Sequence, residues 1–232
     1  MSKKLVLPAT ILLALLPVRA AYAADDLGSI LRKLDASAAN FHTTSADFEF
    51  DSITKVPIPD EDIQKGTTYY KREGKTFQMA AHIKEVNGKD VPKVYTYTNG
   101  VFQLYEKLPN QITTLKKLDQ YQSWFMLGFG ASGKDLQEKW DIKYLGPETI
   151  DGKVTQKLQL VAKDATVRKN IPMVTVWMDT DNAVSVKEEF DEGQGQLLKC
   201  HYFNIQVNQP HSLPSDAFTL PKPDRQTRFI SQ

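Results

Sequence analysis

Apolar side chains recur every three or four residues at Leu27, Ile30, Leu31, Leu34, Ala38 and Phe41, with Asp25 or Asp26 placed to cap the start. That spacing predicts one amphipathic helix. From Ser45 the period falls to two: Ala46, Phe48 and Phe50 alternate with Asp47, Glu49 and Asp51, the pattern of a half-buried strand. The alternation returns in Thr67 to Arg72, Phe77 to Glu85, Lys93 to Thr98 and Val101 to Lys107. Arg72-Glu73-Gly74-Lys75, Asn87-Gly88 and Asn99-Gly100 punctuate these strands. Asn99-Gly100 is the sharpest signal, because both central residues of a tight hairpin turn need positive φ and this pair tolerates it best. Val56-Pro57-Ile58-Pro59 cannot donate a full ladder of hydrogen bonds and predicts an edge or a loop.

The run Leu118 to Trp140 breaks the strand pattern. Its very apolar part, Trp124 to Phe129, leads into Ser132-Gly133-Lys134-Asp135, a start resembling a capping box for a second short helix in which Leu136 and Trp140 share a face. Strands resume at Asp141 to Leu145, Gln156 to Ala162, Met173 to Met178, Ser185 to Phe190 and Leu197 to Val207, with Asp151-Gly152 and Asp179 to Asn182 as turns. About ten strands with two helical interruptions are too many for one flat sheet and too few helices for a parallel one. The sheet must therefore curl, in an α+β fold with an antiparallel sheet. No repeat, low-complexity tract or linker divides the chain.

The N-terminus adds a compartment. Lys3 and Lys4 precede an apolar run from Leu5 to Val18, and Ala21-Tyr22-Ala23 supplies small residues at both positions a signal peptidase reads. Residues 1–23 are expected to be a cleaved signal peptide, since the run is shorter than the roughly 20 residues a spanning helix needs. Residues 24–232 are expected to form one domain, soluble in the periplasm. Basic and acidic residues number 29 and 28, and losing the leader removes three basic residues and no acid. Such a balance does not suit nucleic acid. Cys200 is the only cysteine, so no intramolecular disulfide forms, and its position in a strand predicts a small buried apolar residue.

Candidate chemistry is thin. Gly128 to Lys134 has the spacing of a phosphate loop, but Asp135 stands where the Ser or Thr on magnesium belongs. Asp179 and Asp181 begin a calcium-like spacing, yet Phe190 occupies the twelfth position. A hairpin turn is the better reading. His42, His82, His201 and His211 are scattered, Cys200 and His201 should point to opposite faces, and no nucleophile elbow or carboxylate pair stands out. The expectation is a protein without catalytic residues, metal or cofactor.

What stands out is aromatic and apolar density on the strands: Phe48, Phe50, Tyr70, Phe77, Met79, Tyr95, Tyr97, Phe102 and Leu104. A curved sheet with an apolar concave face cannot fill its own hollow, so helices or a ligand must cover it. These residues are therefore expected to wall a cavity for hydrocarbon. Trp124, Phe125, Leu127 and Phe129, interrupted by Gly128 and Gly130, are expected to form its lid.

The order of pieces resembles the periplasmic lipoprotein-carrier (LolA) family. The resemblance runs through the helix Leu27 to Phe41, the strand Ser45 to Lys55, Gly66-Thr67-Thr68-Tyr69-Tyr70-Lys71-Arg72 and Asn99 to Glu106. Later landmarks are Ser132 to Leu136, Val176-Trp177-Met178-Asp179, Asn208, Leu213 and Asp216-Ala217-Phe218-Thr219-Leu220-Pro221. It implies an open half-barrel covered by helices on its concave face. It also implies a monomer that holds the acyl chains of lipoproteins or other lipids, taken from an inner-membrane donor protein and passed to an outer-membrane acceptor protein. A sensor or scaffold of the same fold, acting on an envelope partner without transporting cargo, is the alternative. The chain departs from the family pattern at Phe77-Gln78-Met79. No residue is assigned from sequence to the arginine that bonds the lid in the best-known carriers.

Overall fold

The computed structural model describes residues 26–74, 76–115 and 127–231. The expected signal peptide and the lid residues Trp124 and Phe125 lie outside the described residues. The first helix, α1 (Leu27–Ala39), starts where Asp26 accepts a hydrogen bond from the Ser29 amide at 2.6 Å. It buries Ile30, Leu31, Leu34 and Ala38 along one side, as the spacing predicts.

Among the described residues, twelve strands form one open sheet. Strands β1 (Thr43–Thr54), β2 (Asp60–Glu73), β3 (Thr76–Val86), β4 (Lys89–Thr98), β5 (Val101–Glu106) and β6 (Gln111–Leu115) meander in one direction. The chain then crosses to the far edge, where β7 (Trp140–Ile150), β8 (Lys153–Ala162), β9 (Met173–Asp179), β10 (Val184–Gly193) and β11 (Gln196–Val207) meander back until β11 pairs with β1. Strand β12 (Arg228–Ser231) adds in parallel beside β6, so β12 and β7 are the free edges. All other pairings are antiparallel. Val56 to Pro59 loops between β1 and β2, as the prolines require. Asn99, at φ 53°, and Gly100, at φ 77°, make the tight turn between β4 and β5.

The sequence reading falls short in five places. Strands β6 and β12 were not expected, and β2 begins seven residues earlier than its clear alternation, at Asp60. Helix α3 (Ala165–Asn170) was not expected either; Asp164 nucleates it by accepting from the amides of Thr166 and Val167. The helix at Ser132, α2 (Gly133–Lys139), has the expected cap, with the Asp135 amide donating to Ser132 Oγ at 3.0 Å. It stops before Trp140, which instead opens β7 opposite Ala162. The Asp179 turn is a hairpin whose carboxylate is taken up by Lys153, the Asn182 amide and the Asp181 backbone.

The described helices cover only part of the concave face. Helices α1 and α2 pack on Leu158, Leu160, Val174, Val176 and Met178 of β8 and β9, and α3 adds Val167 beneath Ile171. A second core lies at the middle of the sheet: Phe41, Tyr70, Phe77, Tyr97 and Phe129. Tyr70 stacks on Phe77 with centroids 5.5 Å apart, and Phe77 stacks on Tyr97 at 4.9 Å. Offset stacking at such distances is favourable beyond simple burial.

This stack joins strands β2, β3 and β4 to the turn after α1, so emptying its centre should be costly. Phe77→Ala is expected to destabilise the fold by about 3–5 kcal/mol, read by urea unfolding. Val154→Ala, on an exposed side chain of β8, should change stability by less than about 0.5 kcal/mol.

Candidate functional site

Strand register carries one face across the sheet. Phe50 stands opposite Gln64 on one side and Cys200 on the other; Cys200 faces Glu188, Glu188 faces Val176, and Val176 faces Leu158. Residues paired this way point to the same side. Beyond the described helices the concave face holds a cavity of about 400 Å³. This is an ordinary size for a small-molecule site. Its walls are Phe48 and Phe50 of β1, Met79, Ala81 and Ile83 of β3, Tyr95 of β4 and Phe102 of β5. Phe190 of β10 and Leu198, Cys200 and Tyr202 of β11 complete them.

One rim is closed by the chain from Leu127 to Ala131. Gly128 and Gly130 tie it to β10, with Ser185 N–H donating to Gly128 O at 2.8 Å and Gly130 N–H to Ala183 O at 2.7 Å. Phe129 then hangs over the cavity and meets Tyr202 edge-on, 5.1 Å between centroids. Arg72 reaches from the end of β2 and donates to Gly130 O at 2.6 Å and to Ala38 O in the last turn of α1 at 2.9 Å. One guanidinium thus pins the cover and the helix to the sheet, and charge-assisted bonds of this kind are the strong ones. Gly130 sits at φ 71°, and a Cβ there would come within 2.4 Å of the Phe41 ring, so no larger residue fits the latch. Arg72 is the arginine that bonds this segment, and the sequence does not single it out. Its signal is register, since alternation puts Tyr70 and Arg72 on the same face.

Of the residues expected at the site, Phe48, Phe50, Met79, Tyr95, Phe102 and Phe129 line the cavity. Tyr70, Phe77 and Tyr97 share their face but fill the adjacent aromatic core. Leu127 packs into the core under α1, and Leu104, opposite Tyr95, is not among the lining residues. Sequence reasoning misses the far wall, Glu188, Phe190, Leu198, Cys200 and Tyr202, although both strands are expected. The available signal is the alternation Leu198, Cys200, Tyr202, a pattern that fits ordinary core equally well.

The electrostatics of that wall are unusual. Glu188 is 4% exposed and burial pushes its carboxyl up to about 7, against the opposing pull of Ser185 and Tyr202. Burial also pushes the Cys200 thiol up, with Glu188 adding to it, which makes the thiol unreactive. His201, the next residue, faces the other way and pairs with Asp151 at 2.6 Å. Among the described residues no three His, Cys, Asp or Glu side chains stand close enough to hold a metal.

No family model matches the chain. Protein MJ0687 of Methanocaldococcus jannaschii is 25% identical over 123 residues, 53% of this chain and 33% of that one. The chain therefore spans a third of the length of this curated relative. Among solved structures, MucB is similar with a TM-score of 0.53 and 11% identity, covering 88% of this chain and 65% of that one. A conserved protein from Thermus thermophilus is equally similar, at 0.53 and 8% identity over 88% and 98%. The fold is an open half-barrel. It is the fold that the LolA resemblance implies. No helix among the described residues is long and apolar enough to cross a membrane.

The raised carboxyl of Glu188 links stability to pH. Its neutral form is favoured by folding, so its contribution is fully present below the unfolded value of 4.5 and is lost as pH rises through about 7. Between pH 4.5 and 8 the native protein should lose roughly 3 kcal/mol relative to Glu188→Gln. Urea unfolding of both proteins across that range checks it; parallel profiles would contradict the buried carboxyl.

Proposed function

We propose that the protein is an acyl-chain carrier of the bacterial envelope. It is exported, cleaved after Ala23, and holds the chains of a lipoprotein or another lipid in the hollow of the half-barrel without covalent chemistry. Cargo is received from an inner-membrane donor and given to an outer-membrane acceptor. The observation that carries this reading is the cavity itself: a hollow of about 400 Å³ walled chiefly by Phe, Met, Ile, Leu and Tyr. Its cover is held by two backbone hydrogen bonds to the start of β10, by the Arg72 side chain and by the packing of Phe129. Apolar walls attract hydrocarbon in proportion to the area removed from water, and a cover with few bonds is a cover that moves.

A second reading has its own support. The MucA/MucB complex of Pseudomonas aeruginosa contains a chain of this fold, with a TM-score of 0.51 at 12% identity over 85% of this chain. There the half-barrel stands with a protein partner. On that reading the same hollow would report lipid to an envelope protein instead of delivering it. A carrier releases cargo to acceptor vesicles, and a sensor keeps it while changing its hold on the partner.

Fatty acids of increasing length test the shared core of both readings. Each methylene contributes about 0.8 kcal/mol, so two added carbons should tighten binding roughly tenfold until the cavity is full. Met79→Asp would set a charge against hydrocarbon and should abolish most of that affinity. Gln78→Asp, on the opposite face of β3, should be nearly silent. Affinity independent of length, or equal losses at the two positions, would overturn the reading.

A further inference from the structure

Among the described residues, Glu188 is the one carboxylate on the cavity wall. It lies in a register row that is otherwise aromatic, aliphatic or thiol through Phe50, Cys200, Val176 and Leu158. One of its oxygens, Oε2, accepts from the Tyr202 hydroxyl at 3.3 Å. The other, Oε1, is fully buried and has no hydrogen-bond partner among the described residues; the Ser185 hydroxyl, close enough to pull on this carboxyl, donates instead to Met178 Sδ at 3.2 Å. It lies over Gly128, where a Cβ would come within 2.6 Å of it, so the chain leaves room for this oxygen at the lip of the cover. The remaining amide and hydroxyl groups of the wall are engaged elsewhere: Gln64 donates to Asp62 at 2.9 Å and Thr68 to the Ala80 carbonyl at 3.1 Å.

A buried, unpaired carboxyl oxygen is costly, and a protein that only stores plain hydrocarbon gains nothing from it. We propose that Glu188 reads a hydroxyl group on the bound acyl chain, so that the cavity selects hydroxylated chains over plain ones. The inference rests on the acyl-chain reading above and narrows its ligand class. The choice of a hydroxyl follows from what each partner offers. An ionised carboxylate only accepts, a protonated one also donates, and a hydroxyl does both, so it satisfies Glu188 in either state. An ester carbonyl matches only the protonated form. An ammonium matches only the ionised form and must itself be desolvated to reach it. Near neutral pH both forms of this carboxyl are populated, which a hydroxyl tolerates and the other two do not.

The test uses octadecanoate and three hydroxyoctadecanoates, with the hydroxyl near the carboxylate, at mid-chain and near the methyl end. Their affinities are measured by titration calorimetry on the processed chain, on Glu188→Leu and on Glu188→Gln. At least one isomer should bind the native protein roughly tenfold more tightly than octadecanoate, the gain from one good buried hydrogen bond. Glu188→Leu should lose that preference and bind octadecanoate more tightly than the native protein does. Glu188→Gln, which still donates and accepts, should keep part of the preference, and its melting curve guards against misfolding. If octadecanoate binds but no isomer is preferred, or if the preference survives in Glu188→Leu, the assignment of Glu188 is wrong while the acyl-chain reading stands. If no chain binds the native protein, both fall together.

Discussion

Everything distinctive in this protein follows from a mismatch of areas. A twelve-stranded sheet curls because its strands twist, and its concave face is apolar along register rows that run from β1 to β8. The three described helices are too short to cover such a face. They cover the β8–β9 side, where Leu158, Leu160, Val174 and Val176 are completely buried, and leave the β1–β5 side hollow. The aromatic stack of Tyr70, Phe77 and Tyr97 marks the boundary between packed core and cavity.

That boundary is where the cover is fastened. The loop from Leu127 to Ala131 has one foot in the helical core through Leu127 and hangs Phe129 over the cavity. Between them the only side-chain hydrogen bond to this loop's backbone among those described is the one from Arg72 to Gly130. The same guanidinium caps α1 at Ala38, so movement of the cover and of the helix end are coupled through one residue. A ligand that displaced Phe129 would work against its packing on Tyr70 and Tyr202 as well as the Arg72 bond, a cost that each buried methylene offsets by about 0.8 kcal/mol.

Local signals are legible in the sequence; tertiary decisions are not. Asn99-Gly100 announces its hairpin because positive φ is a property of those two residues alone, and Ser132 and Asp26 announce their helices through caps. Strand β6 is silent because Gln-Ile-Thr-Thr-Leu owes its extended form to pairing with β5, and β12 in turn depends on β6. Trp140 reads as helical because it follows Leu136 by four residues, yet its backbone is claimed by Ala162. The near wall of the cavity is readable from alternation in β1, β3, β4 and β5. The far wall is not, because the expected strand Ser185 to Phe190 carries three charged residues in a row, Lys187-Glu188-Glu189, with nothing to mark which turns inward. A register shift between Ser185 and Lys187 leaves Glu188, opposite Val176 and Cys200, on the inner face, and only pairing with β9 and β11 reveals it.

The central claim is that the hollow exists to hold hydrocarbon and is not merely an imperfectly filled core. Native mass spectrometry of the protein purified gently from the cells that express it tests it most directly. The account predicts a population heavier than the processed polypeptide by the mass of an acyl lipid, with the added mass lost on denaturation. A protein that carries only its polypeptide mass, and still does so after incubation with lipid vesicles, would contradict it.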